Sequence, residues 1–421
     1  MSLDTRFVAG DDAASRAWLR AVHLGFLSPP DLSDEVLAER VARMDLGRAQ
    51  GAFDGDRCVA TFRSFDQRLT VPGGGTVAAD AISSVTVTAT HRRRGLLSGM
   101  MAADLAAAKE RGDVVATLIA AEYPIYGRFG FGPATTAVTW RVDVTRAGLD
   151  PRWAPGAGEG AGAGGELAFV DGAEVRKAAP EMYDRFRLGQ AGAIDRSRLF
   201  WERYTGEVRW DEPWREPFHV LHRDADGVPQ GLATFTTDDA WAGMLPKNTA
   251  TVAGLTATSP AVERLLWRFV LSLDWVTGLV SSRTAPDAPL PAVLPDPRAA
   301  SVETQADFLW LRPLDVPRML RARTYPAAGE LAIEVRDPLG LVSGRYLLAA
   351  GPEGADCAPA PAGRAADLTL STGALAALYL GDVTASSLAA FGDLEEHTSG
   401  ATARADSLFH TGRRPWCPDI F

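Results

Sequence analysis

The segment His91-Arg92-Arg93-Arg94-Gly95 concentrates three guanidinium groups in a chain whose formal net charge is −10. Guanidinium forks match phosphate oxygens, and a glycine beside them lets a bound group come close to the backbone. Where such a cluster opens a helix, the unpaired N–H groups of the first turn and the positive end of the helix dipole add to the attraction. The segment therefore reads as a cradle for a pyrophosphate, with a solvated charged turn as the alternative. Other reactive residue types are scattered. His219 and His222 in PFHVLHRD fall on opposite faces of a strand, which favours structure over metal ligation. Cys58, Cys357 and Cys417 lie far apart and match no close ligand spacing, so neither a disulfide framework nor a zinc site is expected. No GxxxxGK[ST] or GxSxG is present, which leaves phosphate-loop NTPases and α/β-hydrolases unsupported. The carboxylates of Phe26 to Glu35 (FLSPPDLSDE) are either the lining of a cationic-substrate site or solvated surface. At the chain end, Pro415, Trp416 and Pro418 stand where termini are usually polar and frayed, so the end is expected to be anchored by Trp416, Ile420 and the Phe421 ring.

The elements around the basic cluster follow from periodicity. Cys58 to Phe65 and Ile82 to Ala89 are rich in β-branched and aromatic residues and read as strands. Leu96, Leu97, Met100, Met101, Asp104, Leu105 and Ala108 make one stripe of a helix that Gly112 ends. Val114 to Ala120 is a continuous apolar run of buried-strand length. The basic turn thus lies between a strand and a helix, followed by a second strand. A weak echo recurs at Val252 to Thr258 and Pro260 to Leu273, where Ser259, Pro260, Ala261 and Val262 replace His91, Arg92, Arg93 and Arg94. Only the first copy retains the charges for a phosphate.

A length of 421 residues suggests two or three domains. Two boundaries are expected, one at the glycine-rich stretch Pro155 to Gly165 and one at the proline-rich stretch Pro286 to Pro297, neither of which should build a packed element. The GxGxxG inside the first lacks the preceding strand and following helix of a dinucleotide fingerprint. Trp201, Trp210, Trp214, Trp267 and Trp275 are assigned to core packing. From about Ser301 the pattern is mixed, with strands at Leu331 to Val335 and Tyr346 to Ala350 and a helix near Thr372 to Leu380. The net negative charge argues against a general nucleic-acid or membrane-surface binder and favours cationic partners. No run reaches the roughly 20 apolar residues of a membrane span, and no signal peptide is apparent, so a cytoplasmic location is expected.

Strand, Arg92-Arg93-Arg94-Gly95 turn, helix, strand, and then Tyr126-Gly127-Arg128-Phe129-Gly130-Phe131 resemble the acetyl-CoA core of the GNAT acyltransferase superfamily. Arg92 and Gly95 match its signature of Arg or Gln, two residues, Gly, one residue, Gly or Ala, while Leu97 departs from the last position. Over essentially the full length, the chain resembles the bacterial Eis-type N-acetyltransferases. That resemblance implies an α+β chain of two tandem GNAT-like units and a C-terminal sterol carrier protein-like domain, with bounds near 1–150, 151–300 and 301–421. It implies a homohexamer that uses acetyl-CoA to acetylate amines of aminoglycosides, at several positions, and of lysine, without a metal. By the same resemblance, acetyl-CoA contacts fall on Val85, Thr86 and Val87, on Arg93, Arg94, Gly95, Leu96, Leu97 and Ser98, and on Ala121 and Glu122. Tyr126 is the proton donor and the terminal carboxylate of Phe421 the proton acceptor.

The chemistry is consistent with these roles. Thioester acetyl transfer needs a neutral amine, a polarised carbonyl and a stabilised leaving thiolate. Backbone N–H groups of Val85 to Val87 would polarise the carbonyl if that strand bulges, and the Tyr126 phenol would hydrogen-bond the departing sulfur. Two alternatives stay open, an acyltransferase using a long acyl chain and a binding protein with an inert acetyl-CoA fold and a lipid-holding third domain.

Overall fold

The computed structural model describes residues 3–28, 32–148, 164–210 and 214–421. The chain divides into two compact units, one of Met1–Ala134, Leu309–Thr411 and Ile420–Phe421, the other of Thr135–Phe308 and Gly412–Asp419.

The first unit holds a seven-stranded sheet ordered Asp4–Phe7, Ala49–Asp54, Arg57–Thr70, Thr76–Val87, Val115–Ile119, Leu309–Pro313 and Gly132–Pro133. All neighbours are antiparallel except Thr76–Val87 and Val115–Ile119. That parallel register runs only from Ala79↔Val115 to Ala81↔Thr117, so among the described residues Ile82 to Val87 have no strand partner on that edge. On the other edge Thr86 faces Thr61 and Ser83 faces Arg63, which places Ser84 and Val85 opposite the single residue Phe62. This is a β-bulge, and Ser84 carries it at φ +54°, a left-handed value uncommon outside glycine.

The crossover between the parallel strands is the helix Leu96–Arg111. Met100, Met101, Leu105 and Ala108 bury its stripe against Phe62, Ile82, Ala116 and Leu118, as the spacing predicts. Gly95 and Gly112 bound it, both with φ in the left-handed region at +77° and +88°. The same unit contains a five-stranded sheet ordered Gly354–Pro359, Gly344–Gly351, Gly329–Arg336, Leu368–Ser371 and Leu394–Glu396, with helices that include Val316–Ala322, Thr372–Tyr379 and Ala401–Phe409.

In the second unit the sheet order is Ala300–Asp307, Thr136–Asp143, Val276–Thr284, Asn248–Ala257, Pro229–Thr237, Phe218–Arg223 and Glu166–Val170. Its one parallel pair joins Asn248–Ala257 to Val276–Thr284 around the helix Pro260–Leu271. This is the echo expected from sequence, and it extends to the bulge. Thr234 faces Gly254 and Phe235 faces Val252, so Ala253 is the extra residue, at the place Val85 holds in the first copy.

Two expectations from the sequence do not hold in the structure. The proline-rich stretch does pack, since prolines that lack N–H groups still permit 3₁₀ turns, here Leu290–Val293 and Pro297–Ala299. Leu290, Val293 and Leu294 are buried with Leu266, Trp267 and Val270 in the second unit's core. Among the tryptophans, Trp201 and Trp267 are core residues, but Trp275 is 64% exposed. Residues 155–163 of the glycine-rich stretch lie outside the described residues. Among the described residues no helix is long and apolar enough to cross a membrane.

Candidate active site

After Val87 the chain turns through Ala89–His91 and is tied back to the neighbouring strand, where Thr88 donates to Val59 O through its backbone nitrogen (2.8 Å) and its hydroxyl (2.9 Å). His91 is the inward residue of the basic cluster, bonded through Nδ1 to the Thr90 hydroxyl (2.8 Å) and with Nε2 3.4 Å from Asp54. Arg92, Arg93 and Arg94 stay exposed. Arg93 has φ +63° and Gly95 +77°, so the turn is held in left-handed backbone before the helix begins. No side chain caps the helix start, and the backbone donors of Leu96, Leu97 and Ser98 belong to the first-turn set that has no intrahelical acceptor. A Cβ built on Gly95 would meet nothing within 4 Å. These features fit an anion approaching the backbone. The second copy differs, because the Ser259 side chain accepts from Val262 N and Pro260 removes an N–H from the first turn.

Beneath the helix lies a buried polar layer that periodicity did not announce. Asp104 accepts from Ser64 (2.7 Å), while Asp80 receives Arg48 (3.1 Å) and Arg111 (2.7 Å). Burial, and then the charge of Asp104, push the Asp80 carboxyl up to about 8 against the opposing pull of Arg111.

The strand Val115–Ile119 leads through Ala121 and Glu122, both exposed, into the single turn Tyr123–Tyr126. The Tyr126 ring is buried and meets Phe131 edge-on at 6.2 Å. Among the described residues no protein group hydrogen-bonds its hydroxyl. Burial, and secondarily the charge of Glu122, raise its pKa above the ordinary phenol value. The phenol therefore keeps its proton more firmly than an ordinary tyrosine. Val85, Val87, Leu96 and Leu97 pack against the same apolar cluster as Tyr126, so the structure gathers these predicted residues around one core. Thr86 instead bonds to the Thr61 hydroxyl (2.7 Å), and a Cβ on Gly25 would overlap its side chain.

The turn after Tyr126 depends on glycine. Gly130 has φ +84°, and a Cβ there would lie 2.5 Å from Thr372 Oγ1 and 2.7 Å from Arg312 Nε. Arg312, which sequence reading missed, is fully buried and donates from Nε to Phe129 O (2.7 Å). An arginine inside the apolar run LWLRPL was a readable signal.

The chain end is anchored, though not by all the residues expected. Trp416 is buried, donates from Nε1 to Arg283 O (2.8 Å) and meets Phe186 edge-on. Asp419, buried, pairs with Arg196 (2.8 Å) and accepts from Tyr183 (2.7 Å), whereas Ile420 is 61% exposed. Phe421 is half-buried, with its ring edge-on to Phe65 at 6.0 Å.

His219 and His222 are buried, with His219 Nδ1 2.9 Å from the Thr234 hydroxyl, and burial lowers both pKa values. No cluster of three or more potential metal ligands occurs among the described residues. Within Phe26 to Glu35, residues 29–31 are outside the described set, and Asp34 pairs with Arg20 (3.1 Å).

Residues 9–134 and 192–321 each match an acetyltransferase (GNAT) domain family, and residues 316–418 match a sterol carrier protein domain family. The chain is 54% identical to an uncharacterized N-acetyltransferase of Streptomyces avermitilis, covering 100% of this chain and 99% of that one. It is 36% identical to N-acetyltransferase Eis of Mycobacterium tuberculosis over 85% of each chain. Among solved structures, Eis1 from Mycobacterium abscessus superimposes with a TM-score of 0.82 at 28% identity over both full chains.

Proposed function

The chain belongs to the Eis-type N-acetyltransferases of the GNAT superfamily, and from that premise we propose that it acetylates amines of aminoglycosides, at more than one position, and lysine side chains. The observation that carries the reading is the pairing of an uncapped helix start at Gly95, beside three exposed arginines, with a buried tyrosine whose hydroxyl is bonded by none of the described residues.

Acetyl-CoA, which the fold implies, supplies the acetyl thioester. Arg93 and Arg94, with the backbone of Gly95, Leu96, Leu97 and Ser98, would hold its pyrophosphate. Val85, Thr86 and Val87, on the bulged and unpaired stretch of their strand, would orient the acetyl end with Ala121 and Glu122. Tyr126 acts as a hydrogen-bond donor to the leaving sulfur. Full proton transfer from an ordinary phenol to a thiolate is already uphill by about 2 kcal/mol, and burial raises the phenol further. The Phe421 carboxylate accepts the proton of the attacking amine. A homohexameric assembly, a cytoplasmic location and domain bounds near 150 and 300 complete the reading.

The test measures thiol release from acetyl-CoA with kanamycin, tobramycin and a lysine peptide, beside palmitoyl-CoA and a no-amine control, with mass spectra of the products. Release above the no-amine rate and products heavier by whole acetyl groups are expected. A preference for palmitoyl-CoA would overturn the substrate reading, and release with neither donor would overturn the enzyme.

A further inference from the structure

The side chain of Arg312 reaches from the strand Leu309–Pro313 to two other parts of the first unit. Nε donates to Phe129 O (2.7 Å), inside the turn closed by Gly130 N to Gly127 O (2.9 Å) and Phe131 N to Tyr126 O (3.4 Å). Nη2 lies 2.7 Å from both carboxylate oxygens of Asp337, the residue after the strand Gly329–Arg336 of the sterol carrier-like domain. Both side chains are fully inaccessible. Asp337 also accepts from the backbone N–H groups of Leu339 (3.1 Å) and Val342 (2.9 Å), so the carboxylate shapes its own loop. Leu339 and Leu341 of that loop pack on the apolar cluster that holds Tyr126, and Lys109, at the end of the crossover helix, donates to Leu341 O. Burial works against the charge on each partner. For Asp337 the adjacent guanidinium and the loop N–H groups overcome it, so this carboxyl stays below its ordinary range.

A buried ion pair adds little net stability over apolar residues of the same volume. What a guanidinium fork supplies is direction, because its donors lie in one plane at fixed angles. One arm here fixes Phe129 O and another is locked by Asp337. Gly130 leaves no side chain between Arg312 and the turn.

We infer that Arg312 is a positioning residue for Tyr126, and that the sterol carrier-like domain, through Asp337, is a working part of the acetyl-transfer site. The inference rests on Tyr126 being the hydrogen-bond donor to sulfur.

Arg312→Lys keeps the charge and loses the fork, and Asp337→Asn keeps the shape and loses the charge. Each is made in the wild-type and Tyr126→Phe backgrounds and assayed for acetyl-CoA turnover with tobramycin and for calorimetric acetyl-CoA affinity. The Tyr126 phenol is titrated as the ultraviolet difference against the matching Tyr126→Phe protein. In the wild-type background kcat should fall about 10- to 100-fold, the scale of a small misplacement at a reacting group, with affinity unchanged and the phenol titrating lower as its burial loosens. In the Tyr126→Phe background neither substitution should lower kcat further. Equal fractional losses in both backgrounds, or an unmoved phenol, would overturn the inference. Wild-type turnover in Tyr126→Phe itself would instead remove the assignment of Tyr126 on which it rests. If Arg312→Lys does not fold, Asp337→Asn decides, and the phenol titration needs no substrate.

Discussion

Gly95 and Gly130 both occupy left-handed backbone, with φ of +77° and +84°, and alanine at either position bears the same intrinsic strain of about 1–2 kcal/mol. Their surroundings differ. A Cβ on Gly95 meets nothing within 4 Å, whereas one on Gly130 lies 2.5 Å from Thr372 Oγ1 and 2.7 Å from the immobilised Arg312 Nε. Overpacking of this kind costs about 1–3 kcal/mol. Gly95→Ala should therefore destabilise the first unit by about 1–2 kcal/mol and Gly130→Ala by about 2–5 kcal/mol. The two should also part in kinetics, since Gly95→Ala intrudes where a pyrophosphate would meet the backbone and Gly130→Ala pushes on the turn that carries Tyr126. Guanidinium unfolding midpoints at constant slope give the stabilities, and initial rates with calorimetric binding separate kcat from acetyl-CoA affinity. Gly95→Ala is expected to weaken binding and Gly130→Ala to lower kcat. Equal destabilisation within about 0.5 kcal/mol, or the same kinetic constant affected in both, would refute the reasoning.

Arg93→Ala should weaken acetyl-CoA about 10- to 150-fold, the equivalent of a charge-assisted hydrogen bond of about 1.5–3 kcal/mol, without unfolding the protein; unchanged calorimetric affinity would exclude Arg93 from the site. Ser259→Ala should cost about 0.5–2 kcal/mol of stability as a lost helix cap and leave acetyl-CoA binding unaltered, and a CoA footprint there in hydrogen exchange would contradict it. One or two glycines added after Phe421 leave its ring free to stay against Phe65 and move the carboxylate, so acetyl transfer should be lost at near-native acetyl-CoA affinity and melting temperature; full activity would eliminate the terminal carboxylate as base. Because the Asp80 carboxyl is raised to about 8, the folded chain keeps a proton that the unfolded chain has released, and this group's contribution to stability falls as pH climbs from the ordinary carboxyl range toward that value. Asp104→Asn removes the charge that helps raise it and should flatten that slope, so parallel stability curves for variant and wild type would contradict the assignment.

The parts of the site written in short range were legible. The stripe from Leu96 to Ala108, the stop at Gly112 and the basic turn follow from local spacing, and they occupy the helix, cap and loop so expected. The missing parts are all long-range. Nothing in LWLRP says that it slots between Val115–Ile119 and Gly132–Pro133, because a strand's period fixes which face is buried and not which strand lies beside it. Arg312 could be seen as an anomaly in an apolar run, but its partners Phe129 O and Asp337 are set only by that placement. At the chain end, sequence favoured the apolar Ile420 as an anchor. The structure uses the charged Asp419 instead, because Arg196 and Tyr183 satisfy it in the interior.

The internal repeat sets two versions of one strand–helix–strand unit side by side. Both copies have a parallel strand pair, a crossover helix and a bulge at the equivalent residue, Val85 in one and Ala253 in the other. They differ in the parallel pairing, which ends at Ala81 in the first copy but runs on to Val252, the equivalent of Ser84, in the second, and they differ at the helix start. In the first copy no side chain competes for the first-turn N–H groups, and left-handed Gly95 presents them without a Cβ in the way. In the second, Ser259 already occupies one donor, Pro260 eliminates another, and no arginine stands among Thr256 to Val262. A capped helix start gains stability from the same donors that an anion would need. Capping and anion binding are therefore alternative uses of one set of N–H groups, and the second copy has committed them to holding its helix in place.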